Sequence, residues 1–72
     1  MLNVAIIGLG WWGQTLARVM SGSPHMRAVL GVDPEANARD AAAALGLRTA
    51  ATFEEALSAK DVDAIVLCTP HK

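Results

Sequence analysis

The sequence predicts an α/β fold: a partial doubly wound sheet of four parallel strands in the order 3-2-1-4, with three helices. Three observations predict it. Short apolar, β-branched runs alternate with stretches whose apolar residues recur at helical spacing. The runs are apolar at successive positions, as in strands covered on both faces. No linker, repeat or low-complexity tract breaks the 72 residues. Parallel strands joined by right-handed crossovers then give the order, with strand four at an edge.

Asn3-Val4-Ala5-Ile6-Ile7-Gly8 is the first strand. A helix over residues 13–21 places Gly13, Leu16, Ala17 and Met20 on one face, and Gly22, Ser23 and Pro24 end it. Residues 27–32 form the second strand. Asp33-Pro34 then predicts an N-cap followed by proline at the first helical position. The second helix, residues 35–45, carries Ala38, Ala41, Ala42 and Leu45 on its apolar face and stops at Gly46. A third strand, residues 48–50, precedes Thr52-Phe53-Glu54-Glu55, which predicts a capping box opening a helix that ends near Ala59. Residues 63–68 form the fourth strand around Ala64-Ile65-Val66-Leu67-Cys68.

Composition bounds the function. With 53% hydrophobic and 18% charged residues the chain is not intrinsically disordered. A chain of this mass buries only about 60% of its unfolded surface, which is marginal. A lone Cys68 precludes an internal disulfide, and one cysteine with two distant histidines is too few for a structural zinc site. Apolar burial must therefore hold the fold. The net charge is −1 and the six basic residues stand singly, so a nucleic-acid footprint is absent. The longest apolar-plus-glycine run, residues 4–13, is ten residues and too short to span a bilayer. It lacks a basic leader segment, which predicts a cytoplasmic protein with no membrane partner.

The chemistry is concentrated in Gly8-Leu9-Gly10-Trp11-Trp12-Gly13, a G-x-G-x-x-G string between a strand and a helix. Gly8 makes the tight turn, Gly10 lets the backbone approach a pyrophosphate, and Gly13 lets the helix pack on the sheet. The free amides at the helix start then hold phosphates. Asp33 lies 20 residues beyond Gly13, where a carboxylate would accept hydrogen bonds from an adenosine ribose and repel a 2′-phosphate. NAD is thus favoured over NADP. Asp33 also fits a helix N-cap, and its two oxygens allow both roles. Trp11 and Trp12 either pack on apolar surface or wall the nucleotide site.

Thr69 and Pro70 follow strand four at its carboxyl end, beside the switch point where doubly wound sheets bind ligands. His71 and Lys72 end the chain and are assigned no catalytic role. Cys68 reads as a small buried hydrophobe. Arg39 reads as a solvated guanidinium, a 2′-phosphate contact being the alternative. Glu54 and Glu55 read as capping and exposed charge. Catalytic and metal-ligating residues are expected to be absent from the chain.

Taken together, the glycine string, Val32-Asp33-Pro34, Arg39 ahead of an alanine-rich helix closing at Leu45-Gly46, Thr52-Phe53-Glu54-Glu55 and Ile65-Val66-Leu67-Cys68-Thr69-Pro70 resemble the nucleotide-binding domain of the glucose–fructose oxidoreductase/inositol dehydrogenase/rhizopine-catabolism (Gfo/Idh/MocA) family. The resemblance covers essentially the whole chain. It implies a partial Rossmann fold over residues 1–72, in which Gly8, Gly10 and Gly13 form the phosphate turn, lined by Leu9, Trp11 and Trp12. It further implies Asp33 at the adenosine ribose and Thr69, Pro70 and His71 along the dinucleotide. Family members are two-domain NAD(P)-dependent oxidoreductases of sugars, cyclitols and related polyols, often dimers or tetramers. Their glutamate-lysine-proline motif and second domain have no counterpart here, so the 72 residues alone are expected to show no turnover.

The open edge of strand four adds an expectation: the chain is a piece of a longer protein, or it self-associates there. Two other classes compete with the dehydrogenase segment. One is a non-catalytic nucleotide-binding module or truncated relic. The other is a methyltransferase binding S-adenosylmethionine, disfavoured by the two-residue gap between Gly10 and Gly13. A kinase or ATPase is weaker still, because no Gly-Lys-Ser/Thr follows the loop.

Overall fold

A computed structural model describes residues 2–68, with Trp11 and Trp12 described by their backbone alone. Seven elements follow in chain order: β1 (Leu2–Ile7), α1 (Trp11–Ser21), β2 (Met26–Val32), α2 (Ala36–Ala44), β3 (Arg48–Ala50), α3 (Phe53–Ser58) and β4 (Ala64–Leu67). The strands form one sheet in the order β3-β2-β1-β4, and every pairing is parallel. The expected order therefore holds. In the register, Ile7 stands beside Val32 on one side and Leu67 on the other, so β1, β2 and β4 end together.

Alternation along β1 explains the two-faced burial. Val4 and Ile6 point into one core with Leu9, Ala17, Met20, Ala42 and Leu47. Ala5 and Ile7 point into the other, with Leu30, Val32, Ala50 and Ala56. Thus α1 and α2 cover one face and α3 the other. Toward β4 the cover thins: Ile65 and Val66 are half-buried, and Leu67 is 68% exposed.

Local chemistry moves several boundaries. α1 opens at Trp11 rather than at Gly13, because Gly10 takes the N-cap position in extended backbone. α2 opens later than expected: its N-cap is Glu35, so Asp33 is not the cap and Pro34 is not its first helical residue. The backbone of Asp33 is still engaged with β3, its N–H donating to Ala50 O at 3.1 Å. A residue before proline is also held extended, which delays the turn.

Gly46 ends α2 as expected, with φ +91. Its N–H donates to Ala43 O at 3.0 Å and that of Leu47 to Ala42 O at 3.3 Å, the pair of bonds that marks a glycine-terminated helix. Leu47 thereby enters the core while Leu45, expected there, is 38% exposed at the C-cap. The box at Thr52 does not close. The Thr52 hydroxyl donates to Glu55 Oε1 at 3.2 Å and makes no cap bond to the backbone.

One surface pair steadies the third crossover. A single Arg48 nitrogen, Nη2, donates to both oxygens of Asp61 at 2.8 Å. That hydrogen bond, ahead of weaker causes, lowers the Asp61 pKa below its ordinary value. A depressed folded pKa means the pair stabilises the fold above the ordinary carboxylate range, and the contribution is lost as pH falls through the folded value. Both side chains are half exposed, so the effect is small. Asp61→Asn is expected to lower the urea midpoint slightly at neutral pH and not at all in acid; an equal loss in acid would contradict the ion-pair origin.

Candidate functional site

The loop between β1 and α1 is shaped by three glycines with separate physical demands. Gly8 has φ +94, where a Cβ is strained, and its N–H donates to Val32 O at 2.7 Å. Gly13 lies in the first turn of α1, and a Cβ there would sit 2.0 Å from Gly8 O. That contact brings the helix start directly onto the turn. Gly10 is different: a Cβ there would meet nothing within 4 Å among the described residues, and the residue is exposed. The outer face of Gly10 is therefore exposed backbone with no described side chain packed on it.

The first intrahelical bond runs from the Gln14 N–H to Gly10 O at 3.0 Å. By position, the amides of Trp11, Trp12 and Gly13 come before Gln14, the first intrahelical donor of α1, and a first turn presents such amides outward. Open glycine backbone next to a helix N-terminus is suited to an anion, because dipole and amides both favour negative charge.

Asp33 directly follows β2 and lies against the loop. Its Oδ2 accepts the Leu9 N–H at 2.8 Å, and its Oδ1 accepts the Glu35 N–H at 2.9 Å. The carboxylate is half-buried and turned toward the loop. Each oxygen keeps acceptor capacity for a further donor. Arg39, expected in solvent, instead reaches back from α2: its Nη1 donates to Asp33 O at 2.8 Å and Pro34 O at 3.0 Å. It braces the turn that holds Asp33.

Leu9 departs from the expectation that its side chain lines the turn. It is 1% exposed and lies in the core beneath the loop, against Gly31. Its carbonyl accepts from Gln14 Nε2 at 2.9 Å. Gln14 and Gly31 are contributors the sequence reading did not single out. For Gly31 a signal existed, since an isolated glycine in a strand marks close approach; for Gln14 there was none.

The side chains of Trp11 and Trp12, and all of Thr69, Pro70 and His71, lie outside the described residues. The chain leads to the last three from the carboxyl end of β4, where the Cys68 N–H donates to Ile7 O at 2.7 Å, next to Gly8. Cys68 itself is half-buried against the α1 and α2 core, and burial raises its pKa, which keeps it a thiol. Among the described residues, no group of three or more His, Cys, Asp or Glu could hold a metal ion, and no helix is long and apolar enough to cross a membrane.

Residues 2–72 match the model of the Gfo/Idh/MocA family, described as an oxidoreductase family with an NAD-binding Rossmann fold. The chain belongs to that family. An uncharacterized oxidoreductase of Streptococcus pneumoniae serotype 4 is 32% identical over 71 residues, which are 99% of this chain and 19% of that protein. The Gfo/Idh/MocA domain is also similar to two solved structures. A myo-inositol dehydrogenase of Corynebacterium glutamicum has a TM-score of 0.87 at 28% identity, covering 97% of this chain and 21% of that one. GenD2 from gentamicin A biosynthesis, in complex with NAD, has a TM-score of 0.86 at 33% identity, covering 96% and 20%. The chain thus spans about a fifth of the length of the relatives it matches. This Gfo/Idh/MocA chain has the Rossmann fold of the family's NAD-binding domain, and the expected family and fold are borne out.

Proposed function

We propose that this domain grips NAD, in preference to NADP, for hydride transfer to or from a sugar, cyclitol or related polyol. The observation that carries the proposal is the exposed backbone at Gly10, beside a helix N-terminus and next to Leu9, whose amide the Asp33 carboxylate holds. In this reading Gly8, Gly10, Trp11, Trp12 and Gly13 form the pyrophosphate turn, with Leu9 shaping it from below. Asp33 accepts hydrogen bonds from the adenosine ribose with its remaining lone pairs, and its charge disfavours a 2′-phosphate. In the same reading Thr69, Pro70 and His71 would contact the dinucleotide, Thr69 and Pro70 on its nicotinamide side.

The bound nicotinamide supplies the hydride chemistry; the chain's own residues bind and orient. No residue of the chain is assigned a catalytic role. The polyol class is supported by the inositol dehydrogenase likeness, and assembly into homo-oligomers in a cytoplasmic setting belongs to the same reading.

Calorimetric titration of the 72-residue chain tests the cofactor assignment. NAD is expected to bind more tightly than NADP, with no dehydrogenation of polyols by the isolated chain. Stronger binding of NADP would reverse the cofactor preference. Absence of binding by either, in a chain shown folded by circular dichroism, would remove the assignment, and turnover would contradict the inactivity of the chain.

A further inference from the structure

Leu9 is restrained at its amide, its carbonyl and its side chain. Asp33 Oδ2 holds its N–H at 2.8 Å, Gln14 Nε2 holds its carbonyl at 2.9 Å, and its side chain is buried against Gly31. Of these three restraints, the one from Asp33 spans 24 residues of sequence and joins the first crossover to the second. The other oxygen of the same carboxylate holds Glu35, and Arg39 holds the Asp33 carbonyl. The carboxylate is therefore fixed from its own side and can hold the loop in turn.

From this geometry we infer that Asp33 is a positioning residue for the glycine loop as well as a candidate ribose acceptor. By fixing Leu9 it sets the shape of the backbone from Gly8 to Gly10, and through that the fit of a pyrophosphate. The Leu9 amide is spent on this contact, so phosphate binding falls to Gly10 and the amides that follow it. Cofactor choice and loop shape are then coupled at one residue. A substitution at position 33 made to admit a 2′-phosphate loosens the grip on any dinucleotide.

The binding part of this inference rests on the nucleotide reading above; the tether itself does not. Two variants separate them. Asp33→Ala removes both acceptors. Asp33→Asn keeps the shape but offers one oxygen, so its amide group must face one of the two backbone donors and release it.

Amide hydrogen exchange followed by NMR reads the tether directly. In Asp33→Ala, exchange at Leu9 is expected to quicken about tenfold or more, the loss of one charge-assisted hydrogen bond, while Ile6 and Leu30 are unchanged. Unchanged exchange at Leu9 would overturn the inference. Should the alanine variant not fold, Asp33→Asn decides: either Leu9 or Glu35 must quicken, and neither doing so is the overturning result.

The binding arm uses nicotinamide mononucleotide, which has a phosphate but no adenosine ribose for Asp33 to hold. Its affinity is expected to fall about tenfold in Asp33→Ala, and in Asp33→Asn when exchange shows Leu9 to be the released amide. An unchanged affinity there would mean that Asp33 acts on the ribose alone and would overturn the coupling. If the wild-type chain binds neither NAD nor this probe, the nucleotide reading fails, and exchange at Leu9 still decides the tether.

Discussion

Gly13→Ala is expected to unfold this domain or bring it close to unfolding, although alanine is the better helix former by about 1 kcal/mol. The added Cβ would lie 2.0 Å from Gly8 O and 3.1 Å from Gly8 C, and both atoms are backbone. No rotamer change relieves such a contact. Either the first turn of α1 lifts off the sheet or the Gly8 peptide rotates. The second route is opposed by the bond from the Gly8 N–H to Val32 O, which fixes the turn at its φ of +94. Overpacking of flexible side chains costs about 1–3 kcal/mol, and a backbone clash belongs at or above the top of that range. A domain of this size holds only about 5–15 kcal/mol in reserve, toward the low end.

Urea denaturation followed by circular dichroism checks the prediction, with two controls. Gly22→Ala meets only Val19 O at 3.8 Å, an ordinary contact, and is expected to be nearly silent. Gly10→Ala meets nothing within 4 Å among the described residues, so stability should hold while affinity for NAD falls. A Gly13→Ala variant as stable as these controls would mean that α1 does not sit on the Gly8 turn in solution.

The same contrast shows why the fold was legible in the sequence and part of the site was not. The β1 run Val4-Ala5-Ile6-Ile7 and the α1 face of Gly13, Leu16, Ala17 and Met20 announce strand and helix through side-chain period, and period is a property of single segments. Gly46 likewise needs only its own backbone to end α2. The bond from Asp33 to Leu9 has no such signature, because its partners meet only once β1 and β2 pair. Arg39 shows a related limit. Helical spacing sets which way its stem leaves α2 but not that its guanidinium turns back onto the carbonyls of Asp33 and Pro34. At Thr52, residue types matched a capping box while side chain met side chain instead. Local pattern sets which groups are available; tertiary pairing selects among their partners.

Leu9 and Gly31 carry the second large effect, and a double-mutant cycle isolates it. Leu9 is 1% exposed, so Leu9→Ala is expected to cost about 2–5 kcal/mol from lost transfer energy and the cavity left behind. Gly31→Ala fails for the opposite reason. Its Cβ would lie 2.8 Å and 2.9 Å from the two Leu9 methyl groups and 3.4 Å from Ala42 Cβ. The Leu9 side chain is enclosed and its backbone is held on both sides, so it has little room to yield; a loss of about 1–3 kcal/mol follows. In the double variant the new methyl at 31 enters space that Leu9 has vacated. Its destabilisation should therefore fall short of the sum by about 0.5–3 kcal/mol, the range for residues in direct contact. Urea midpoints of the four proteins give the coupling. Strict additivity would show that Leu9 does not pack on β2, and the loop would then lack the apolar seat on which its shape depends. Such a shortfall accompanied by weaker NAD binding in Leu9→Ala would tie that seat to the grip on the cofactor.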